Sequence, residues 1–399
     1  MLSGGRIRRR ARRRHGAGWT ALGVLGASIA LAVSACAGTG PQAASTSATT
    51  PSPASTPMPP AATATPVLLT PTATTPSPAS TSLGPAATPQ ASDLMAYVAL
   101  GDGEVVPVDV TAGTARTPIL VGVSPTAIAI APDGRTAYVT DGVTGTLTPL
   151  DLATATAGTA IPVTSAGGLS SIAITPSGTT AYVTADPTSG VSGSVIPITL
   201  ASGAVGTPIP VGAGPVAIAI TPDGRTAYVV NAGDGTVTPI ELATGTAGNP
   251  VSVGVDPVAI AVAANGSTAY VLGGSGLGQV TPITLFANPA QDVVGTPIAV
   301  QTGAPTGIAI APTGAAAYVT GITGAAQLVL TGGAGSGTTS AGDYSAVAIS
   351  PDGSTALLGY AGSAGSAWNA VPVRPLTATP GAAIPLDAEP VSIAFLPSS

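Results

Sequence analysis

The chain has 399 residues, of which only 7% are charged, and its eleven basic residues are all arginine. Seven of them fall within the first fourteen positions and all seventeen acids lie at or after Asp93, so past residue 36 four Arg face seventeen acids, a net of −13. That balance excludes binding to phosphate backbones, which Lys and Arg drive by releasing counterions, and a polybasic grip on anionic lipid; with Cys36 the only cysteine, an intramolecular disulfide is excluded too.

The first element is an export signal. Arg6, Arg8, Arg9, Arg10, Arg12, Arg13 and Arg14 form a basic n-region, and Trp19 to Val33 an apolar h-region. Val33-Ser34-Ala35-Cys36 follows and resembles a bacterial lipobox, in which the cysteine is lipidated and becomes the mature N-terminus. Residues 1–35 are thus expected to be a signal peptide and Cys36 the lipidation site, with two or three acyl chains holding the protein to the outer face of the cell membrane. The Arg cluster leaves general secretion and twin-arginine export both open.

Residues 37–92 carry no charge and are almost entirely Ala, Thr, Ser and Pro. Such a composition cannot bury enough apolar surface to fold, and its prolines favour extended polyproline II. The expectation is a disordered stalk reaching on the order of 170 Å fully extended and about 40 Å as a coil.

From residue 94 the chain repeats. An apolar segment recurs seven times, as TAIAIAP (126–132), SIAITP (171–176), AIAITP (217–222), AIAVAA (259–264), GIAIAP (307–312), AVAISP (346–351) and SIAFLP (392–397). A second signal, A-Y-V or its equivalent, falls at Tyr97, Tyr138, Tyr182, Tyr228, Tyr270, Tyr318 and Leu357 at intervals of 41, 44, 46, 42, 48 and 39 residues. Pro/Gly turns such as PDG (132–134) join the two, and a third strand such as TVTPIEL (236–242) and a short fourth follow. The period and the lack of helical periodicity predict an all-β chain, a seven-bladed β-propeller of four-stranded blades over 93–399. The repeat opens on a second strand and closes on a first strand, VSIAFLP (391–397), so the C-terminal strand is expected to complete blade one and close the ring.

The repeat PVAIAITPDGRTAYVVNAGDG (215–235) resembles the YVTN family of propeller repeats, and the resemblance covers about 94–397. It implies the fold and leaves the activity open, because propellers host many unrelated functions. Six third strands depart from the family in carrying a proline: Pro107, Pro149, Pro197, Pro239, Pro282 and Pro372. Proline removes a ladder hydrogen bond, so the outer strands beside it are expected to be short, frayed or bulged.

In such a ring the loops between strands two and three and those between blades share one end, the top, where the resemblance places functional sites. Asp102, Glu104, Asp141, Asp186, Asp234, Asp256, Asp343, Asp387 and Glu389 fall there, whereas Arg116, Arg135, Arg225 and Arg374 all fall at the bottom. The top should concentrate cations and repel anions. Asp in the PDG and Gly-Asp-Gly turns is expected to cap its own backbone. Asp256, Asp343, Asp387 and Glu389 flank the starts of channel strands and form a candidate cation site, with Ca²⁺ the ion such oxygens suit. The repeated Tyr residues are expected to pack between blades. Asp186 in the long loop ADPTSGVSG (185–193), Trp368 and Tyr344 are candidate partner contacts, with Tyr360 on the same side.

The chain past residue 36 has no His, Lys or Cys, so neither a Ser–His–Asp set nor a Cys–His pair can be assembled there. The function read from the sequence is a surface-anchored binding or scaffold module for an envelope protein or glycan, monomeric, with no catalytic residues and no required cofactor. Two alternatives stay open: a carboxylate- and Ca²⁺-dependent lactonase-like hydrolase, some relatives of this kind of repeat being lactonases, and a purely structural envelope protein.

Overall fold

The computed structural model describes residues 94–397 except 165–167, 187–191, 275, 277, 331–333, 341, 362–366 and 375–378. The signal segment, Cys36 and the stalk, with Asp93, lie outside the described residues, as does most of the 185–193 loop.

The described chain forms seven antiparallel sheets, each built from consecutive strands except the first. In blade two the order is Pro125–Ile130, Thr136–Asp141, Thr146–Asp151, then a two-piece outer strand, Thr156–Ala157 and Ile161–Pro162. Blade one takes its inner strand from the C-terminus: Pro390–Phe395 pairs antiparallel with Met95–Leu100, placing Val98 opposite Ile393. The ring therefore closes as the half-repeat at each end of the sequence predicts. One 3-10 turn, Pro289–Gln291, interrupts the all-β pattern in the strand three-to-four connection of blade five.

The core lies between blades. Each repeated tyrosine leaves its own sheet and packs into the apolar cluster of the next blade. Tyr97 joins Ile128, Val139 and Leu150 of blade two, Tyr182 joins Ile218 and Val229 of blade four, and Tyr318 joins Leu358 and Val373 of blade seven. Leu357 does the same against Val98 and Ile393 of blade one. A short aliphatic second strand with one large side chain per repeat thus suits a wedge that must fill the gap to its neighbour. Burial raises the pKa of Tyr318 to about 12.

The outer strands follow the prolines. In blade three, Pro197 sits opposite Tyr182 on the second strand. Its carbonyl accepts a hydrogen bond from Gly206 N in the outer strand at 2.8 Å. A strand residue's N–H and C=O point to the same side, so proline costs the sheet only one outward donor, and the ladder towards the second strand is untouched. The outer strand breaks there, into Ala204–Val205 and Ile209–Ala213. The same break occurs in all six proline-bearing blades, whereas blade six, with Gln327 at this position, keeps one unbroken outer strand, Ala334–Ser340. A glycine stands opposite the proline in five of the six blades because the ring fills the space of a side chain: a Cβ at Gly206 or Gly295 would lie 2.9 Å from the proline Cγ.

The turns between first and second strands lock neighbouring blades at the bottom. The turn proline of one blade lies beneath the turn glycine of the next, at Pro132–Gly178, Pro176–Gly224, Pro222–Gly266, Pro312–Gly353 and, across the ring closure, Pro397–Gly134. Blade five has Ala264 instead of proline, and a Cβ at Gly314 of blade six would meet nothing within 4 Å.

Candidate functional site: the acidic face

Backbone bonds define the two ends of the ring. At the top, the strand two-to-three loops of blades one to six are tied to the inter-blade loop that precedes their own blade, as in Gly101 N to Glu389 O, Gly142 N to Ser124 O, Asp186 N to Gly168 O and Ile322 N to Ala304 O. At the bottom the strand three-to-four turn is tied to the strand one-to-two turn, as in Leu242 N to Arg225 O. The nine top acids therefore sit on loops and strand ends of one end, and the four Arg on loops and strand ends of the other.

The structure does not gather the four carboxylates read as a cation site. Asp256, Asp343, Asp387 and Glu389 are all exposed, and among the described residues no group of three or more His, Cys, Asp or Glu side chains could hold a metal ion. Asp256 precedes the inner strand of blade five, Asp343 opens that of blade seven, and Asp387 and Glu389 both precede that of blade one, so the four are spread over three blades. Asp256 is held in a left-handed conformation, with φ 49°.

The aromatic contact candidates also change place. Tyr344 is 4% exposed and belongs to the core between blades six and seven, its ring centroid 5.5 Å from that of its cross-strand neighbour Tyr360. It is a packing residue, not a surface one, because it occupies the inward side of an inner strand. Trp368 is partly buried against the blade-one cluster. Asp186 is half-buried, and its Oδ1 has no hydrogen-bond partner among the described residues.

The residue that organises the top most fully is Asp141. Its side chain closes a seam between blades one and two and is only 1% exposed. Oδ2 accepts from Val123 N at 2.6 Å and Ser124 N at 3.0 Å in the inter-blade loop, and Oδ1 accepts from Val143 N at 2.9 Å and Thr144 N at 2.8 Å in its own turn. Burial alone would raise its pKa, but the backbone donors outweigh that and hold it at about 2. Turn capping is legible from the sequence; the second pair of bonds, to a loop 17 and 18 residues away, is not. Gly122 beside it must be glycine, since a Cβ there would collide with Asp141 Oδ2. In blade four the equivalent bond is made differently: Asp234 Oδ2 accepts from Ala213 N at 2.6 Å, and Asn231, at the strand position of Asp141, donates instead to Thr236 and Thr238 hydroxyls.

Hydroxyls near the start of inner strands stitch the channel. Ser170 Oγ donates to Pro215 O at 2.6 Å, Thr306 Oγ1 to Tyr344 O at 2.7 Å and Ser345 Oγ to Pro390 O at 2.5 Å, each reaching a carbonyl at the start of the next inner strand. The last of these joins blade seven to the C-terminal strand. At the bottom, Asp133, Asp223 and Asp352 cap their own turns through the backbone N–H two residues on.

Fold and face together place the chain in the class of seven-bladed β-propellers. No protein-family model and no curated protein matches the chain. Solved structures do. A functionally unknown protein from Desulfotomaculum acetoxidans DSM 771 superposes with TM-score 0.64 at 14% identity, over 77% of this chain and all of that one. Hydrazine synthase of Kuenenia stuttgartiensis gives 0.57 at 19% identity, over 72% and 90%. A candidate 6-phosphogluconolactonase from Bacteroides uniformis ATCC 8492 gives 0.59 at 15% identity, over 76% and 99%. At these identities the likeness is one of fold.

Proposed function

We propose that this chain is a binding module of the cell exterior, a YVTN-type propeller tethered through a lipid on Cys36, whose top face engages a cationic partner in the envelope. The observation that carries this reading is the distribution of charge: nine acids and no base at one end, against eight acids and all four Arg past residue 36 at the other. A face of one sign speeds encounter with the opposite sign and rejects like-charged partners. The N-terminal pattern supports the location, and a stalk of 56 residues would let the ring search the space above the membrane.

The test has two arms. Cys36→Ser should leave the protein out of the membrane fraction; unchanged membrane association would remove the anchor from this reading. Envelope extracts passed over the full chain should yield a basic protein or glycan that elutes with salt and is not retained by the quadruple variant Asp256→Asn, Asp343→Asn, Asp387→Asn, Glu389→Gln. Equal retention by both would sink the acidic-face reading.

A second reading, lactone hydrolysis, draws on the name of the Bacteroides neighbour. A phosphorylated sugar lactone is an anion, and a base-free acidic face would repel it. An uncharged lactone is therefore the appropriate substrate for an assay, with acid release as the readout.

A further inference from the structure

Eight large apolar side chains stand exposed on the described surface, and five of them lie at the acidic end: Leu120, Val123, Val143, Val255 and Ile322. Three of the five cluster. Val123 and Val143 are anchored to the two oxygens of one carboxylate, Asp141. Leu120 precedes the same loop and reaches back over the blade-one turn, where a Cβ at Gly103 would lie 3.6 Å from its Cδ1, and Val121 N and Gly122 N both donate to Gly103 O. These three side chains are 69%, 59% and 65% exposed, well above what a half-covered strand end requires.

We infer that the blade one–two sector of the top face is a docking site for a cationic amphipathic segment of a partner protein, one that sets apolar side chains on Leu120, Val123 and Val143 and Lys or Arg beside Asp102 and Glu104. The inference rests on the acidic-face reading above and narrows it to one sector and one partner chemistry. Charge selects the occupant. Asp102 immediately precedes Gly103, Glu104 sits directly across the sheet from Leu120, and no base lies on the top loops, so the apolar patch is rimmed by carboxylates alone. A second copy of this chain would bring acidic face to acidic face, and an anionic membrane would be repelled in the same way. A segment that is both apolar and basic satisfies patch and rim together. The patch is also held ready. Four backbone bonds to Asp141 fix the two loops that carry Val123 and Val143, so little ordering is left to oppose binding. A rigid apolar centre with a charged rim is the arrangement in which a few central side chains dominate affinity.

The probe is a fluorescent peptide alternating Leu and Lys, titrated against the full chain immobilised on a sensor surface, with a Leu/Glu peptide as its counterpart. The Leu/Lys peptide should bind with an affinity that falls as salt rises, and the Leu/Glu peptide should not bind. The variant Leu120→Ser, Val123→Ser, Val143→Ser should weaken Leu/Lys binding about tenfold or more, and Val255→Ser, Ile322→Ser should leave it unchanged. Thermal melts of both variants confirm that the fold is intact. Unchanged binding by the triple variant overturns the sector. Loss in the Val255, Ile322 variant instead overturns the sector while the acidic-face reading stands. No binding of the Leu/Lys peptide, or equal binding of the Leu/Glu peptide, overturns both. A dimer seen by analytical ultracentrifugation and abolished by the triple variant assigns the patch to a second copy and overturns the inference.

Discussion

Asp141 concentrates in one side chain what the ring asks of its loops. Two carboxylate oxygens take four backbone N–H groups from two segments, and their removal takes a charged acceptor from all four donors at once. Asp141→Ala should therefore cost on the order of 3 kcal/mol, read as a drop in the midpoint of urea unfolding. The pH dependence follows from the lowered pKa. A carboxylate whose folded pKa is about 2, against an ordinary value of 3.8, contributes stability that is fully present above that ordinary value and is lost as pH falls through 2. Between pH 4 and pH 2 the wild type should lose stability that the Ala variant has already lost, so the two melting curves converge in acid. Parallel curves over that window would show that Asp141 is not the titrating latch. Sequence exposed half of this: Asp at the head of a Gly-rich turn is a recognisable cap. The inter-blade half depends on a fold-back that no local pattern encodes. The carboxylates read as a cation site lie at the heads of inner strands as inferred, but spread over blades five, seven and one they form no group of three that could hold a metal ion among the described residues.

At the level of strands and turns, the prolines show how an interior strand accommodates a residue that cannot donate. Pro197 is tolerated on an interior strand because the donor it lacks would have pointed outward, towards a fourth strand that can be broken. In five of the six blades a glycine then sits under the proline ring; blade one has Arg116 there. Gly206→Ala should destabilise blade three by about 1–3 kcal/mol through overpacking, and the double change Pro197→Val, Gly206→Ala should recover most of it. Additive effects in that cycle would deny the contact. The opposite correction is available at the bottom ring. Ala264 occupies the turn position that is proline in most of the other blades, so Ala264→Pro should stabilise the protein by about 0.4–1 kcal/mol, measured as a rise in Tm. A lower Tm would mean that the turn of blade five differs from the others. The expectation of broken outer strands was legible from proline alone. The outer strand of blade six, where Gln327 replaces it, is continuous though its pairing is irregular.

For the whole molecule the decisive contact is between the two ends of the folded region. Pro390–Phe395 completes the sheet of Met95–Leu100, and Ser345 Oγ and Ile128 N bond its backbone and its Ser392 hydroxyl from the blades on either side. Deleting residues from 389 onward would expose the edge of Met95–Leu100 and empty a core cluster that includes Ile393. The truncated chain should lose cooperative unfolding altogether, rather than melt a few degrees lower, when followed by circular dichroism. A cooperative melt at the wild-type temperature would contradict the closure.

The sequence by itself determined the ring: a repeat of about 40 residues, a tyrosine wedge in each of the first six blades, and a half-repeat at each end leave one way to bury every apolar strand and pair every edge. It also determined which end is acidic, because charge travels with the loop that carries it. Only the tertiary structure decided which of those charges meet. Asp141 reaches the loop that leads in from blade one while Asp256, Asp343, Asp387 and Glu389 form no metal-holding group among the described residues, and Tyr344 turns inward while Leu120, Val123 and Val143 stand exposed. Those outcomes depend on the angles between packed sheets, which arise from the sum of many side-chain contacts and have no signature at any single position.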